Sequence, residues 1–224
     1  MKEKVLGLFS GGIDSPVACM LASREFEVIP LHFCLYPMAS KESSIKALTV
    51  LDELKEKIGF KRAIIFPWAG FLEEVRKKVK NSHICVACRR GMLEIASRIC
   101  NQNDIQGIVT GESLGQKASQ TIENISAISS SIEVPILRPV LAMNKDEIIR
   151  LSKELSIWRA DHSGCCLVTP QRPRTKASSQ EVEREMKKID LDGLMDEAGE
   201  LTLDVGDFDW DFEDYLFKLA GRFE

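Results

Sequence analysis

The 224 residues are 44% hydrophobic and 29% charged, the make-up of an ordinary soluble protein with one sizeable core and room for an appendage. No apolar run approaches the roughly 20 residues of a membrane span, and the chain runs from Met1 into a strand with no signal-peptide pattern, so the expected compartment is the cytoplasm. The net charge of −4 is divided: residues 181–224 hold 15 acids and 5 bases, leaving 25 bases and 19 acids in 1–180. A basic body suits a polyanion such as nucleic acid, while an acidic tail stays off it.

In chain order, β-rich apolar runs alternate with helical segments, the signature of βα units around an open parallel sheet of about five strands. The expected strands are Val5–Phe9, Glu27–Phe33, Arg62–Phe66, Ile105–Thr110 and Pro135–Leu137. Helices are expected at Pro16–Arg24, Glu42–Gly59, Gly70–Lys80, Arg89–Gln102, Gly115–Ile128, Lys145–Leu155 and Gln180–Ile189. A boundary near 180 separates a domain over 1–180 from an acidic helix and tail over 181–224. Ligands in such sheets lie outside the carboxyl ends of the strands at the topological switch point, so the loops after Phe9, Phe33 and Thr110 should share one rim.

The first of these loops is Ser10-Gly11-Gly12-Ile13-Asp14-Ser15. It turns a buried strand into a helix through two glycines, and Pro16 fits a first helical turn. Unpaired N–H groups at a helix start carry about half a positive charge, glycines let backbone approach closely, and the serines add donors, so a nucleotide phosphate fits here. The pattern lacks the lysine of a Walker A loop. It resembles the SGGxDS PP-loop of the adenine nucleotide alpha hydrolases, which cleave ATP between its α and β phosphates. The resemblance implies that Ser10, Gly11, Gly12, Asp14 and Ser15 hold the departing pyrophosphate and its Mg2+, with Asp14 as the carboxylate near the metal.

A second glycine loop, Gly111-Glu112-Ser113-Leu114-Gly115-Gln116-Lys117-Ala118-Ser119-Gln120-Thr121, follows the strand ending at Thr110. Gly111 and Gly115 allow close approach, Gln116 is a neutral donor, Lys117 a cation, and Ser113 a candidate cap for the next helix. With Arg89-Arg90-Gly91-Met92, Arg138-Pro139, Asn144–Ile149 and a cysteine loop at 165, this loop resembles the PP-loop domain of the ThiI family of tRNA 4-thiouridine synthetases over about residues 4–200. The resemblance implies ATP as co-substrate, tRNA as partner, and adenine against the end of the second strand near Leu31, His32 and Phe33. His32 by itself reads more readily as a packed strand-end histidine.

Seven cysteines in a reducing compartment point to metal or catalysis rather than disulfides. Cys19, Cys34 and Cys100 fall inside predicted elements and read as core. Cys85-Val86-Ala87-Cys88 and Cys165-Cys166 stand apart, since a CxxC pair with one distant cysteine leaves an open coordination position. In bacterial members of the resembled family the late cysteine carries sulfur and CxxC is absent. In an archaeal subclass and in the TtuA-type 2-thiouridine synthetases, CxxC plus a later cysteine holds a 4Fe-4S cluster, which implies Cys85, Cys88 and Cys165 as ligands here. Thr169-Pro170 matches the Thr-Pro after the family's cysteine and favours Cys165, with Cys166 as competitor. A structural Zn2+ with His83 or Cys166 as fourth ligand, a metal-free persulfide relay and unliganded thiols stay open.

The resulting expectation is an ATP-dependent tRNA sulfurtransferase, with Lys117 and Arg138 stabilising the leaving pyrophosphate and Cys165 serving the sulfur step. Adenylation of another RNA position or of a small molecule is the alternative, and a non-catalytic nucleotide- or metal-binding subunit a further one. Family members carry ferredoxin-like, THUMP and, for persulfide delivery, rhodanese-like domains. None is read in this chain, so a separate THUMP-type partner or a homodimer is expected to supply the tRNA grip, with a separate sulfur donor. The period-two run Asp207–Asp214 suggests an added strand on a partner or on the protein's own sheet edge.

Overall fold

The protein is described by a computed structural model over residues 2–117, 119–158, 167–199, 203–204 and 213–216. Strands β1 (Lys4–Phe9), β2 (Glu27–Cys34), β3 (Ile64–Pro67), β4 (Gly107–Val109) and β5 (Ile136–Leu137) are joined by helices α1 (Asp14–Ala22), α2 (Lys41–Ile58), α3 (Ala69–Lys78), α4 (Ile84–Gln102) and α5 (Ile122–Ser129). Beyond them follow α6 (Lys145–Glu154), α7 (Ser179–Met186), α8 (Leu191–Gly199) and β6 (Leu203–Asp204). The sheet order is β5-β4-β1-β2-β3-β6. The first five strands pair in parallel and β6 pairs antiparallel with β3. The chain builds outward from β1 to β3 and then returns to β4 on the other side of β1, which makes β1/β4 the switch point.

Alternation along β1 divides the core. Leu6 faces a cluster with Leu31, Phe33, Phe66, Trp68, Leu93 and Ile128, whereas Val5 and Phe9 face Val17, Leu51, Leu54 and Ile148. A sheet buried on both faces needs such nearly continuous apolar strands. Helices α1, α2 and α6 thus cover one face, and α3, α4, α5 and α7 the other. The acidic segment from 181 packs into the second layer, with Val182, Met186, Leu191 and Ala198 in the core cluster of α4. No helix among the described residues is long and apolar enough to cross a membrane.

Several elements differ from the sequence reading. Helix α4 starts at Ile84 rather than Arg89, so Cys85 and Cys88 lie in its opening turns. Helix α5 starts at Ile122 rather than Gly115: Gly115 has φ +77°, its N–H donates to Gln120 O, and Thr121 is the N-cap, accepting from Asn124 N. Helix α8 and strand β6 are additional to the elements read from sequence. Of the period-two run Asp207–Asp214, 207–212 lies outside the described residues, while Glu213 and Asp214 fall in a helical stretch over 213–216 rather than an extended one. Tyr215 and Leu216 bury against Cys34, Leu48 and Ile65.

Candidate nucleotide site and cysteine pair

The two glycine loops meet at the switch point. A Cβ built on Gly111 would stand 2.5 Å from Ser15 N, 2.6 Å from Ser15 Cα and 2.7 Å from Asp14 C, so the second loop lies against the first turn of α1. Within the first loop, Ser10 N donates to Ser15 Oγ at 2.8 Å and Ser15 Oγ donates back to Ser10 O at 3.0 Å. These bonds close the turn around Gly11 and Gly12. The N-cap of α1 is Ile13, which gives no side-chain cap, and the helix start is left to attract an anion.

Lys145 is a component that the sequence reading quoted within a motif without giving it a role. Its Nζ donates to Asp14 Oδ1 at 2.8 Å, joining the first residues of α6 and α1. A cation at a helix N-terminus is disfavoured by the dipole; its position suits an external anion. Arg138 Nε donates to Glu112 Oε2 at 2.8 Å and its Nη2 to Ser129 Oγ at 2.6 Å. Lys117 is exposed. Gln116 Nε2 donates to Ser113 Oγ at 3.0 Å, which donates to Met143 O at 2.6 Å; Ser113 therefore braces the loop to the start of α6 and does not cap α5.

Glu112 is the second component missed. It is 2% exposed and faces Arg138, Arg89 (Nη2 to Oε1, 3.7 Å) and Thr110 (Oγ1 to Oε2, 3.1 Å). Burial opposes its ionisation, but the Arg89 and Arg138 guanidinium groups and the hydrogen bonds from Arg138 and Thr110 outweigh it and hold the carboxyl below the usual range. Glu112 thereby ties the second glycine loop to α4, one residue past Cys88.

Leu31, His32 and Phe33 are buried and pair within the ladder, against Leu8 and Phe9 on one side and Ile64, Ile65 and Phe66 on the other. The strand continues to Cys34, so these three residues lie within the ladder rather than in the loop after it. His32 Nδ1 lies 3.2 Å from Phe9 O, which requires a proton on Nδ1. Burial outweighs that bond and lowers the His32 pKa to about 4. The unfolded chain then binds the extra proton first, so His32 withdraws stability as pH falls from about 6.5 to about 4, by about 3 kcal/mol in total. Urea denaturation across that range should show a flatter acid slope in His32→Phe; equal slopes would remove this account.

Cys19, Cys34 and Cys100 are buried, and burial pushes the thiols of Cys19 and Cys100 up to about 12, as expected of core residues. Cys85 and Cys88 are half-buried, three apart on α4, a spacing that puts both sulfurs on one helix face. Trp68 Nε1 donates to Cys88 Sγ at 3.3 Å. His83 turns elsewhere: Nδ1 lies 3.1 Å from Ser82 Oγ and Nε2 3.9 Å from Glu181 Oε1, so its ring faces α7. No set of three His, Cys, Asp or Glu that could hold a metal is present among the described residues, and Cys165 and Cys166 lie outside them. Leu167, next in sequence, donates its N–H to Met38 O at 3.0 Å in the loop after β2.

A five-stranded parallel sheet with two glycine loops joined at its switch point has the fold of the PP-loop ATP pyrophosphatases. One solved structure, titled "Crystal structure of a 4-thiouridine synthetase - RNA complex with bound ATP", superposes with a TM-score of 0.79 at 30% identity, covering 90% of this chain and 54% of that one. The chain belongs to the ThiI family, described as "Thiamine biosynthesis protein (ThiI)", which it matches over residues 1–191. Curated relatives include a probable tRNA sulfurtransferase of Finegoldia magna, 39% identical over 85% of this chain and 50% of the relative. Another is that of Levilactobacillus brevis, 35% identical over 87% and 49%. The chain spans about half the length of these relatives. The fold is shared with "U34-tRNA thiolase NcsA from Methanococcus maripaludis with its [4Fe-4S] cluster", at a TM-score of 0.53 and 14% identity.

Proposed function

We propose that the chain carries out ATP-dependent sulfur transfer to a tRNA uridine, the 4-thiouridine reaction, in the cytoplasm. The observation that carries this reading is the contact of Gly111 with Ser15 and Asp14, which builds one nucleotide crevice from both loops. The uridine carbonyl oxygen attacks the α-phosphorus of ATP, the bond to the β-phosphate breaks, and pyrophosphate leaves. The α1 start, the Ser10–Ser15 loop and the cations Lys117 and Lys145 offset charge on the departing group, in the manner of preorganised electrostatics. Asp14 suits Mg2+, which takes one or two carboxylates together with phosphate oxygens; its present partner Lys145 would then turn to the phosphates. A sulfur nucleophile adds to the activated carbon and AMP departs with the oxygen.

The sulfur side rests on the cysteines. The thiols of Cys85 and Cys88 are the soft donors that an iron–sulfur centre or zinc requires, and the N–H···S bond from Trp68 supports a thiolate-type partner at Cys88. Cys165 completes the proposed 4Fe-4S ligand set, or carries the persulfide where no cluster is held. A bound cluster would supply an open iron for sulfide. Arg138 acts in this reading through Glu112, as a brace for the loop.

For tRNA we propose the loop with exposed Arg172, Arg174 and Lys176 as a phosphate contact. It is pinned to α5 by Thr121 Oγ1 to Thr175 O at 2.6 Å and Asn124 Nδ2 to Arg174 O at 2.8 Å. A THUMP-type partner or a second copy adds the remaining grip, and a separate protein donates sulfur.

ATP–pyrophosphate exchange with tRNA, and the thiouridine content of tRNA from a deletion strain, test the reading. Asp14→Ala should abolish AMP formation and Lys145→Ala should lower exchange by about 100-fold or more, the scale of losing one oxyanion donor. Wild-type exchange in both variants would overturn the site. Exchange without any change in tRNA thiolation would move the acceptor to another RNA position or a small molecule.

A further inference from the structure

Cys88 is met by an aromatic cluster. Trp68 is 1% exposed, and its indole N–H, a donor only, points to Cys88 Sγ at 3.3 Å. The indole stacks on Phe71 with centroids 4.1 Å apart and planes at 17°. Phe33 and Phe66 meet it edge-on at 4.7 and 6.1 Å. Three neighbours thus leave the ring one orientation in a close-packed interior.

The stack reaches α4 through a gap at Gly91. A Cβ there would overlap Phe71 Cζ and stand 2.7 Å from Phe71 Cε2. Glycine is unfavourable in the middle of a helix, so its presence one turn after Cys88 calls for a reason, and admission of the Phe71 ring supplies it. Gly91 seats Phe71, Phe71 sets the height of Trp68, and Trp68 meets the sulfur.

We propose that Trp68, seated by Phe71 and Gly91, is a positioning residue for Cys88: it fixes the direction of the sulfur and donates an N–H···S bond to it when the Cys85–Cys88 pair holds a thiophilic metal. The proposal rests on reading that pair as metal-holding. Outer partners that orient a metal ligand typically account for 10–100-fold in affinity, and hydrogen bonds to sulfur are a recognised lever on iron–sulfur centres.

The test is a titration of the reduced, full chain with Cd2+ alone, followed by the sulfur-to-cadmium charge-transfer absorption. Trp68→Phe keeps an apolar ring and removes the donor, at the cost of a gap where the second ring of the indole packed; the thermal midpoint should fall, Cd2+ affinity should fall about 10-fold, and ATP affinity should stay as in wild type. Phe71→Leu keeps the donor but unseats it and should give a smaller loss. Unchanged Cd2+ affinity in Trp68→Phe overturns the proposal, as does a parallel loss of ATP binding, which would mark a merely structural residue. Undiminished Cd2+ binding in a Cys85→Ser, Cys88→Ser double variant would instead overturn the reading of the pair beneath it.

Discussion

Replacing Gly111 by alanine should abolish nucleotide binding while leaving most of the fold standing. The added methyl would sit 2.5–2.7 Å from three backbone atoms of Asp14 and Ser15. No flexible side-chain tip can yield there, so either the second loop or the start of α1 must shift. Overpacking of this kind costs about 1–3 kcal/mol, which a core spread over both faces of the sheet should tolerate. The functional effect is larger, because the same shift separates the phosphate cradle from the opposing loop. Misplacement by about 1 Å commonly costs about 100-fold in rate. Equilibrium dialysis with ATP and pyrophosphate exchange measure it. Gly115→Ala is the control: φ there is +77° but nothing lies within 4 Å of the added carbon, so it should cost about 1 kcal/mol of loop strain and little ATP affinity. A Gly111→Ala protein with wild-type ATP binding would show that the two loops need not touch.

The parts of this architecture with a local signature are legible in the sequence. The β1–α1 turn announces itself through Gly11, Gly12 and Pro16, and the parallel strands through their continuous apolar runs. The opening of α4 was obscured because Cys85-Val86-Ala87-Cys88 reads as a metal-binding loop, although Ile84, Val86 and Ala87 are buried helical residues. Strand β6 has only two residues and owes its state to the open edge of β3, a tertiary cause. The site residues missed share one property. Glu112 meets Arg138 across 26 residues and Asp14 meets Lys145 across 131, and such pairings have no periodicity to betray them. Their motifs were visible: Glu112 sits inside the second glycine loop and Lys145 follows the capping residue Asn144. A charged residue flanked by glycine and serine at a strand end was the available signal, and only burial reveals which charge is structural.

Glu112→Ala should be the most destabilising substitution in the site. The carboxylate is 2% exposed and is the shared counter-charge of Arg138, whose side chain is 14% exposed, and Arg89. Removing it leaves a guanidinium in a largely dry setting, and breaking a buried pair from one side costs about 3–5 kcal/mol. Glu112→Gln retains the shape and should cost less, because an amide oxygen still accepts from Arg138 Nε. The pH dependence separates charge from packing. With its folded pKa depressed, Glu112 contributes stability that is fully present above the unfolded carboxylate value of about 4.3 and is lost as pH falls through the lower folded value. Urea denaturation at pH 7 should therefore place wild type well above both variants, with the gap to Glu112→Gln narrowing below pH 4. A gap that stays constant down to pH 3 would assign the loss to packing and deny Glu112 its role as the ionised link between the second glycine loop and the cysteine-bearing helix.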